Sequence, residues 1–584
     1  MRVTPASCLA VSLLSAVPAA ASGTVSMGLV KRSRSEPSEP HRIYKRQTSA
    51  GGTVEESVYD VLTWSNGGAY YTNVSIGTPP QVLTVILDTG SSDLYVDAST
   101  SDACMDTAAF NTCRGGSFNP KASSTYHVVV PDGFNTSFGD GSTATGDFAT
   151  DTVQIGDVAL KNTQFGVATE VNSTTGFAVS LMGLGYSANE AATSPYPNMP
   201  EILQQSGAIN SRLYSVFLNE LGDASGTILF GGIDTSKYVG PLATLDLLPV
   251  PTQTENGQQV DLVFEFVVAV TGVTVSQNGK STTLVSNGDP NGGRGSLPVL
   301  LDTGSSAWTV PTSLYTKVVA LFGNAIDEYG NIACSHQNDN FNITLQFGGE
   351  KSITVPARDL IVPIYDPATN KQNTTSNGQP LCTFMLSPDV GGQQMDQSGF
   401  LTLGDAILRS MYVVFDLDNG QVSIAQAVAN ASTDASSSGS GTNIKVVQAG
   451  PSGVAQAVGN ANDGVMTAAP NSYSIAPEVT ATISVSDQTV SPAVGTATGL
   501  AAVPEQGQAN VNPSTGATAT PASGSGSNSG SGSGSGPSSG SSSGSSSTSK
   551  GAAASVSVPA FSWNTFMISS VWLTMGVLGA ALML

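Results

Sequence analysis

The sequence predicts an all-β fold of two lobes, followed by a disordered C-terminal stalk. Short strand-like runs alternate with Gly, Asn, Asp and Pro turns between about residues 54 and 427. A segment in the first half of this region returns in the second half, so the two halves share a local construction. Beyond about residue 430 the composition changes to small and polar residues that cannot build a core.

The strand prediction rests on apolar runs of strand length that are bounded by turn residues. The clearest runs are Tyr70–Ile76, Leu83–Leu87, Thr227–Phe230, Phe264–Val270 and Met411–Asp416. The best helical patterns, Met199–Gln205 and Thr312–Phe322, are short. A region of about 375 residues exceeds the size of a single hydrophobic core, which predicts two lobes with a boundary near Gly240–Pro249.

The repeated segment is centred on the sequence Asp-Thr-Gly-Ser-Ser. Val85–Val96 reads VILDTGSSDLYV and Val299–Val310 reads VLLDTGSSAWTV, with eight of twelve positions identical. In each copy three apolar residues lead into the aspartate as a buried strand, and Thr-Gly-Ser then opens a tight turn. Asp88 and Asp302 are therefore predicted to occupy equivalent turns. Two such turns facing each other would make a carboxylate pair that activates water without a metal or a nucleophile.

Further residues of the repeat are predicted to hold the two carboxylates. Ser91 and Ser305, three residues after each aspartate, are placed to hydrogen-bond the outer carboxylate oxygens. The other supporting residues of the two turns are Thr89, Gly90, Thr303 and Gly304. A short element ending in glycine follows each motif, at Leu181–Gly183 and Thr402–Gly404, and suits a strand packed where a Cβ would collide. A single Asp-Thr-Gly is usually a plain turn, but two copies in matching contexts argue against that interpretation.

Two opposed aspartates can perform general acid–base hydrolysis. Like charges a few ångström apart do not both ionise easily, so the pair shares one proton over a broad acid range. The ionised carboxylate takes a proton from a bridging water, the protonated carboxyl donates to the substrate carbonyl oxygen, and a proton then passes to the leaving amine. The repeat thus predicts peptide hydrolysis with no covalent intermediate.

The motifs together resemble those of the pepsin-like aspartic proteases over about Tyr70–Ala427. They include AYYTNVSIGTPPQ, both DTGSS motifs, GDGSTATG, LMGLGY, ILFGGID and LGDAILRSMYVVFD. The resemblance implies the bilobal pepsin-like acid protease fold, Asp88 and Asp302 as the catalytic pair, and a β-hairpin flap over the cleft. The terminal segments further resemble those of the fungal GPI-anchored yapsin-like members, which favour cleavage next to basic residues. A general apolar preference is the alternative for this chain.

Two positions depart from the family's pattern at the flap. Phe138 stands where the family usually has a tyrosine, and Tyr95 stands where it usually has a tryptophan. Gly139 and Asp140 complete the predicted flap contacts, and Asp140 is a candidate for attracting basic substrate side chains. We expect Tyr95 to supply the hydroxyl that the flap has lost, while Phe138 keeps the apolar contact with substrate. The alternative is a flap that is simply less effective.

The first residues are typical of a secretory signal. A positive start at Arg2 and the apolar run Cys8–Val17 precede small residues, which predicts a signal peptide over residues 1–21. A retained membrane anchor is the alternative, but it needs a longer apolar span.

The next segment is basic and is predicted to be a pro-segment. Residues 22–46 end in a Lys-Arg pair, so Gln47 is the expected mature start. A cationic segment can cover a site of paired carboxylates until it is removed. An ordinary basic surface tail is the alternative. The two predicted lobes then span residues 47–240 and 241–427.

The C-terminal part predicts a stalk that ends in a lipid-attachment signal. Residues 428–550 are rich in Ala, Gly, Ser and Thr and poor in aromatic residues, which is typical of a disordered linker. Residues 551–584 pass from small residues through a mildly polar spacer to the apolar run Phe566–Leu584. That order matches a GPI-attachment signal with Gly551 as the modified residue. A retained transmembrane helix would normally leave Lys or Arg after the apolar run.

Four cysteines follow the signal peptide, an even number that predicts two disulfides in a secreted chain. The pairs Cys104–Cys113 and Cys334–Cys382 are favoured because each stays within one half of the repeat. The lack of a CxxC motif or Cys/His cluster argues against zinc, and neither a metal nor a cofactor is expected. Glycan sites are predicted at Asn73, Asn135, Asn172, Asn342, Asn373 and Asn430.

The acidic composition limits the classes of binding partner that are expected. A net charge of −22 argues against nucleic acid and fits a protein that works in acid. We predict a monomeric aspartic endopeptidase in the outer leaflet of the plasma membrane or the cell wall, which cleaves proteins or peptides and contacts the membrane through its GPI lipid. A catalytically silent, wall-associated glycoprotein with a binding or structural role is the alternative. An adhesin displayed by the stalk is compatible with either.

Overall fold

The computed structural model describes the predicted protease region and short parts of its flanks. The described residues are 25–29, 69–105, 113, 115–156, 158–174, 178–221, 226–253, 259–286, 296–348, 351–366, 371–429, 443–459, 461–463, 474–475 and 489–490. The predicted signal peptide, most of the pro-segment, and the GPI-attachment region with Gly551 lie outside these ranges.

Strands dominate the described ranges. In chain order they are β1 Val25–Leu29, β2 Tyr71–Ile76, β3 Gln81–Asp88, β4 Leu94–Asp97, β5 His127–Ser137, β6 Thr143–Ile155, β7 Val158–Asn172, β8 Leu181–Gly183, β9 Leu213–Phe217, β10 Gly226–Phe230, β11 Gly232–Asp234, β12 Tyr238–Asp246, β13 Val250–Gln253, β14 Gln259–Val263, β15 Val267–Gln277, β16 Lys280–Val285, β17 Leu297–Leu301, β18 Trp308–Pro311, β19 Asn331–Ala333, β20 Phe341–Phe347, β21 Lys351–Pro356, β22 Ile361–Pro363, β23 Leu381–Phe384, β24 Leu386–Asp389, β25 Leu401–Leu403, β26 Met411–Asp416, β27 Gln421–Ala427, β28 Ile444–Val446, β29 Asn462–Asp463, β30 Ser474–Ile475 and β31 Thr489–Val490.

Helices are short and lie between the strands. The α-helices are α1 Asp102–Met105, α2 Met199–Gln205, α3 Thr312–Val319, α4 Ala357–Leu360, α5 Gln393–Ser398, α6 Asp405–Leu408 and α7 Gly453–Val458. Segments of 3-10 helix occupy Pro120–Ala122, Ser187–Asn189, Ala320–Phe322, Cys334–Asn338 and Val390–Gly392.

The N-terminal lobe is built on an eight-stranded sheet in the order β31-β7-β4-β8-β3-β2-β6-β5. β3 leads directly to Asp88, and its parallel neighbour β8 places Gly183 opposite that aspartate. The side chains of β3 are mostly buried, as expected of a strand covered on both faces. This sheet therefore carries the first aspartate at the end of an interior strand.

A second eight-stranded sheet repeats this arrangement in the C-terminal lobe. Its order is β21-β20-β15-β17-β25-β18-β24, with β16 paired to β15. β17 ends at Leu301, one residue before Asp302, and the parallel strand β25 places Leu403 opposite Leu301. The sequence repeat thus corresponds to two sheets with the same local construction, and the predicted all-β bilobal fold is confirmed.

A seven-stranded sheet joins the two lobes in the order β1-β10-β9-β26-β27-β12-β29. Because β12 pairs with β27, the predicted lobe boundary between residues 240 and 241 falls inside a strand rather than in a linker. Val85, Tyr214 and Val299 belong to one buried apolar cluster that extends from one lobe sheet to the other. The lobes therefore share a core through the central sheet.

Residues 443–459 correct the prediction of a disordered linker that starts at residue 428. β28 pairs with β11, and α7 follows it. Val447 and Val454 are buried in a cluster with Tyr412, on the central sheet. A few apolar residues are enough to order this small-residue segment, because the folded body already offers an apolar surface for them.

One strand of the predicted pro-segment also belongs to the central sheet. β1 pairs antiparallel with β10 along its whole length, from Val25 opposite Phe230 to Leu29 opposite Gly226. In the uncleaved chain, part of the segment predicted to be removed therefore forms an edge of this sheet.

Most predicted elements agree with the structure to within a few residues. β26 and α2 have the predicted bounds, and the helix predicted at Thr312–Phe322 changes from α to 3-10 geometry after Val319. The strand predicted at Phe264–Val270 begins at Val267, because the Val267 N–H donates to the Glu265 carbonyl in a tight turn. Within the described ranges, the helices lack the length and apolar composition that a membrane crossing requires.

Candidate active site

Two carboxyl groups occupy equivalent turns at the ends of β3 and β17. The Gly90 N–H donates to Asp88 Oδ1 at 2.8 Å, and the Ser91 hydroxyl donates to Asp88 Oδ2 at 2.5 Å. The second turn repeats this pattern, with the equivalent glycine N–H at 2.8 Å and the Ser305 hydroxyl at 2.7 Å from Asp302. One backbone donor and one side-chain donor therefore orient each carboxyl.

The two turns face each other closely. A Cβ placed on Gly90 would lie 2.7 Å from the Asp302 carboxyl carbon, and one placed on Gly304 would lie 2.5 Å from Asp88 Oδ1. Glycine is required at both positions because Cβ atoms do not approach other heavy atoms so closely. The same Cβ on Gly304 would also lie 3.2 Å from Asp302 Oδ1, so the two carboxyl groups are neighbours. They are near enough for one water molecule to bind to both.

Two buried threonines fix the spacing of the turns. The Thr89 hydroxyl accepts from the Thr303 N–H at 3.0 Å and donates to the Leu301 carbonyl at 2.7 Å. The Thr303 hydroxyl accepts from the Thr89 N–H at 3.1 Å and donates to the Leu87 carbonyl at 2.9 Å. The sequence places these residues in the turns, but it does not reveal that they bond to each other's turn.

The glycine that follows each motif lies directly beneath its turn. A Cβ on Gly183 would be 2.5 Å from backbone atoms of Ser92, and one on Gly404 would be 2.5 Å from the Ser305 carbonyl oxygen. The sequence predicted this close approach from the position of the two glycines. Both turns thus rest on a neighbouring strand that has no room for a side chain.

The surroundings of the two aspartates are unequal. Asp88 is 6% exposed, whereas Asp302 is half-buried. Burial and the neighbouring Asp302 carboxylate raise the pKa of Asp88 well above its usual range, and the hydrogen bonds from Ser91 and Gly90 only partly oppose this rise. The surroundings of Asp88 therefore favour its protonated form.

A third carboxyl group lies near the pair and was missed in the sequence. Glu265 is 6% exposed and accepts a hydrogen bond from Asn189 Nδ2 at 2.9 Å. Burial and the charges of Asp302 and Asp88 raise the pKa of Glu265. The available signal was an acidic residue within the apolar run VFEFVVAV, since a buried charged group is unusual in a core.

The hairpin of β5 and β6 forms the predicted flap. Phe138 at its tip is half-buried, with its ring centroid 6.1 Å from that of Tyr95. Gly139 is exposed, and a Cβ placed on it would meet nothing within 4 Å. Phe138 packs against an aromatic cluster that includes Phe134 and Tyr196. The tip thus carries a half-buried aromatic ring followed by an exposed glycine.

The carboxylate of Asp140 stabilises the flap turn. Its Oδ1 accepts from the Ser142 N–H at 2.8 Å, and its Oδ2 accepts from the Ser142 hydroxyl at 2.9 Å and the Thr174 hydroxyl at 2.7 Å. These internal bonds occupy the group that the sequence suggested for attracting basic substrate side chains. That suggestion is weakened accordingly.

Tyr95 lies beneath the flap with its hydroxyl bonded to the backbone. The hydroxyl donates to the Val179 carbonyl at 3.3 Å, and the residue is 5% exposed. Burial, followed by the charges of Asp97, Asp88 and Asp140, raises the pKa of Tyr95, so the hydroxyl keeps its proton. It is a donor under the flap, as expected from the sequence, but its partner among the described residues is a main-chain group.

Both favoured disulfides are present, one in each lobe: Cys104–Cys113 and Cys334–Cys382. The buried Asp97 carboxylate lies with the first two sulfur atoms in a group whose members are within 4.8 Å of one another. Since those sulfur atoms are bonded to each other, they are not thiolate ligands. This group therefore does not form a metal site in the oxidised protein.

One predicted glycan site is incompatible with the folded chain. Asn73 is 7% exposed, and its Oδ1 accepts from the Thr84 hydroxyl at 3.0 Å within the β2–β3 pair. This asparagine is therefore closed to a glycan, contrary to the sequence expectation. Of the other sequons, Asn135 and Asn172 have exposed side chains, Asn342 and Asn373 are half-buried, and Asn430 lies outside the described residues.

Known proteins share the part of the chain that forms these sheets and turns. A sequence model of the eukaryotic aspartyl protease family matches residues 69–427. Over 397 residues the chain is 36% identical to the probable aspartic-type endopeptidase opsB of Aspergillus fumigatus, which covers 66% of this chain and 73% of that protein. Over 376 residues it is 32% identical to the aspartic proteinase yapsin-3 of Saccharomyces cerevisiae, covering 61% of this chain and 66% of that protein. Barrierpepsin of the same yeast is 31% identical over 393 residues, 62% of this chain and 61% of that protein.

Proposed function

This chain is an aspartic endopeptidase of the eukaryotic aspartyl protease family, and from that premise we propose that Asp88 and Asp302 are its catalytic residues and that it acts in acid at the cell surface. One observation carries the catalytic assignment: each carboxyl packs against the glycine of the opposite turn, Gly304 or Gly90, where no side chain fits. That packing brings two oriented carboxyl groups together at the junction of the lobes.

In the proposed reaction the two carboxyls have different tasks. Asp302 takes a proton from a bound water as that water attacks the substrate carbonyl carbon, and Asp88 donates its proton to the carbonyl oxygen. The tetrahedral intermediate collapses when Asp302 gives its proton to the leaving nitrogen, the C–N bond breaks, and a diol hydroxyl returns a proton to Asp88. Ser91 and Ser305 keep the carboxyl planes fixed during these transfers. The flap residues Phe138 and Gly139 cover the substrate.

Hydrolysis of an unfolded protein at about pH 3–5, where such a pair shares one proton, tests the assignment. We expect Asp88→Asn and Asp302→Asn each to lower kcat/KM by about 10³-fold, because one of the two proton-transfer roles is lost. The exposed Asp396→Asn is the matched control and should behave as wild type. Activity that survives either active-site substitution would overturn the assignment. An inactive wild type would favour the silent glycoprotein instead.

The proposal also includes secretion, activation and anchoring. It is supported by the signal-like residues 1–21, the basic segment 22–46, the linker composition of 428–550 and the GPI-like order of 551–584. N-terminal sequencing of the mature protein should begin at Gln47, and a phospholipase specific for GPI anchors should release the enzyme from cells. A mature chain that retains residues 22–46, or one that stays in the membrane after that treatment, would contradict this part of the proposal.

A further inference from the structure

Glu265 is a buried carboxyl group that the proposed reaction does not use. The β15–β17 register pairs Val267 with Leu300, and the Leu301 N–H donates to the Phe266 carbonyl at 3.1 Å. Glu265 is the next residue before Phe266, just as Asp302 is the next residue after Leu301. The main-chain bond from Leu301 to Phe266 lies one residue beyond the paired strands and holds the two segments side by side. Glu265 therefore reaches the end of this strand pair beside the second catalytic turn.

The groups around Glu265 do not neutralise it. Asn189, from the 3-10 helix after β8, donates to its Oε1, and the charged groups that face it are Asp302 and Asp88. Among the described residues no Lys, Arg or His forms an ion pair with Glu265. A buried carboxylate beside two others is unfavourable without a cation. A glutamine would offer Asn189 the same acceptor without that penalty, so packing alone does not account for the acid.

We propose that Glu265 is a positioning residue for the catalytic protons: a third carboxyl that shares protons with the Asp88–Asp302 pair, so that the pair keeps its one required proton to higher pH than two aspartates would. This inference rests on the catalytic role proposed for Asp88 and Asp302. It adds a residue that acts through them and has no contact with the scissile bond.

The physical basis is the coupling of three neighbouring acids. Burial and mutual repulsion raise the pKa of both Asp88 and Glu265, so the group of three releases its protons stepwise. Once Glu265 ionises, its negative charge makes Asp88 hold its proton more tightly. The reaction requires that proton on Asp88, since it is the one donated to the substrate carbonyl oxygen. The upper pH limit of activity is therefore set by three carboxyls rather than two.

The test compares kcat/KM from acid to neutral pH in wild type, Glu265→Gln and the exposed control Glu170→Gln, with an uncharged peptide substrate. We expect Glu265→Gln to move the upper limb of the profile down by about one pH unit, as for loss of a like charge near an acid. Activity at a pH above that limb then falls by about tenfold, while the plateau in acid changes little. Glu170→Gln should leave the profile in place.

A second variant leaves the carboxyl intact. The hydrogen bond from Asn189 lowers the pKa of Glu265, so Asn189→Ala should delay its ionisation and move the upper limb in the same direction by a smaller amount. A uniform loss at every pH in both variants, or a profile that does not move, would overturn the inference while leaving the proposed function intact. So would an effect confined to substrates with Lys or Arg at the cleavage site. An inactive wild type would instead defeat the proposed function itself.

Discussion

The turn at Asp88 and the turn at Asp302 offer their carboxyls the same donors, but the residues that follow them differ in character. Five and nine residues after Asp88 stand Asp93 and Asp97, both buried. The corresponding positions after Asp302 are occupied by Ala307 and Pro311. Glu265, in contrast, enters from the C-terminal lobe beside Asp302. The shared motif sets the local bonding, and the unshared neighbours set the electrostatic environment.

The first lobe encloses several acidic side chains whose pKa values burial raises. In the first lobe burial raises the pKa of Asp93 to about 6 and that of Asp97 to about 7. Nearby hydrogen-bond donors lower both pKa values but do not cancel the effect of burial. Asp88 is enclosed in the same lobe and its pKa is also raised. Burial therefore favours the neutral form of these three aspartates at the acid pH at which the enzyme is proposed to work.

The largest effect is expected from filling the space between the turns. Gly90→Ala and Gly304→Ala would each place a methyl group against the opposite carboxyl, at 2.7 and 2.5 Å. We expect kcat/KM to fall by about 10²-fold or more, as for small displacements of positioned groups, in both variants. Ser281→Ala, at an exposed position of β16, is the control and should behave as wild type. Tolerance of alanine at either turn would show that the carboxyls are not as close as described.

Replacing a buried acid of the first lobe should change the pH dependence of stability. Burial raises the pKa of Asp97 to about 7, so the folded state binds its proton more tightly than the unfolded state. The resulting stabilisation is fully present below about pH 4 and is lost as the pH rises towards about 7. We expect Asp97→Asn to equal wild type at low pH and to exceed its free energy of unfolding at neutral pH by on the order of 3 kcal/mol.

Denaturant unfolding at several pH values measures this effect. Asp396→Asn, at an exposed position, should leave the pH dependence of stability unchanged. If Asp97→Asn lowered the free energy of unfolding equally at every pH, the Asp97 carboxyl would have a stabilising partner in the folded protein. The two lobes would then not differ in the way that burial of this acid implies.

The threonine pair tests the symmetric part of the comparison. Thr89→Ala and Thr303→Ala should each reduce the free energy of unfolding by about 1–3 kcal/mol, because each leaves a buried N–H and a buried carbonyl without their hydroxyl partner. Since the bonds are equivalent in the two turns, the two losses should be similar, and the difference between the double variant and their sum measures the coupling of the turns. Calorimetry on wild type, the two single variants and the double variant measures these losses. Unequal losses in the single variants would show that the two turns are not energetically equivalent.

The smallest effects are expected at the flap, the β5–β6 hairpin of the lobe that carries the first turn. Tyr95→Phe removes the hydrogen bond to the Val179 carbonyl and should lower kcat/KM by up to about tenfold, since a net hydrogen bond is worth about 1 kcal/mol. Phe138→Tyr adds a hydroxyl to a half-buried tip and should change it by less than about threefold. Steady-state assays at acid pH compare them, and the opposite ranking would support the less effective flap.

Local sequence patterns predicted those parts of the site that depend on only a few neighbouring residues. The two aspartates, the turn glycines and the glycines at 183 and 404 were predicted because strand, turn and close approach each leave a signature within a few residues. The disulfides followed from the division into halves, and β26 and α2 from their apolar patterns.

Features that depend on tertiary register were not accessible in this way. Glu265 is identified as an active-site neighbour only when β15 is aligned with β17. The burial of Asn73 and the ordering of residues 443–459 likewise depend on which surface covers them. The predicted lobe boundary falls inside β12, because this strand has turn-forming residues within it yet pairs with a strand about 180 residues away.

Neutron diffraction from deuterated crystals shows which carboxyl of the two equal turns carries the shared proton. At about pH 5, within the acid range in which such a pair shares a proton, we expect a single deuterium on the Asp88 carboxyl and none on Asp302. A deuterium on Asp302 alone, or one on each carboxyl, would contradict it.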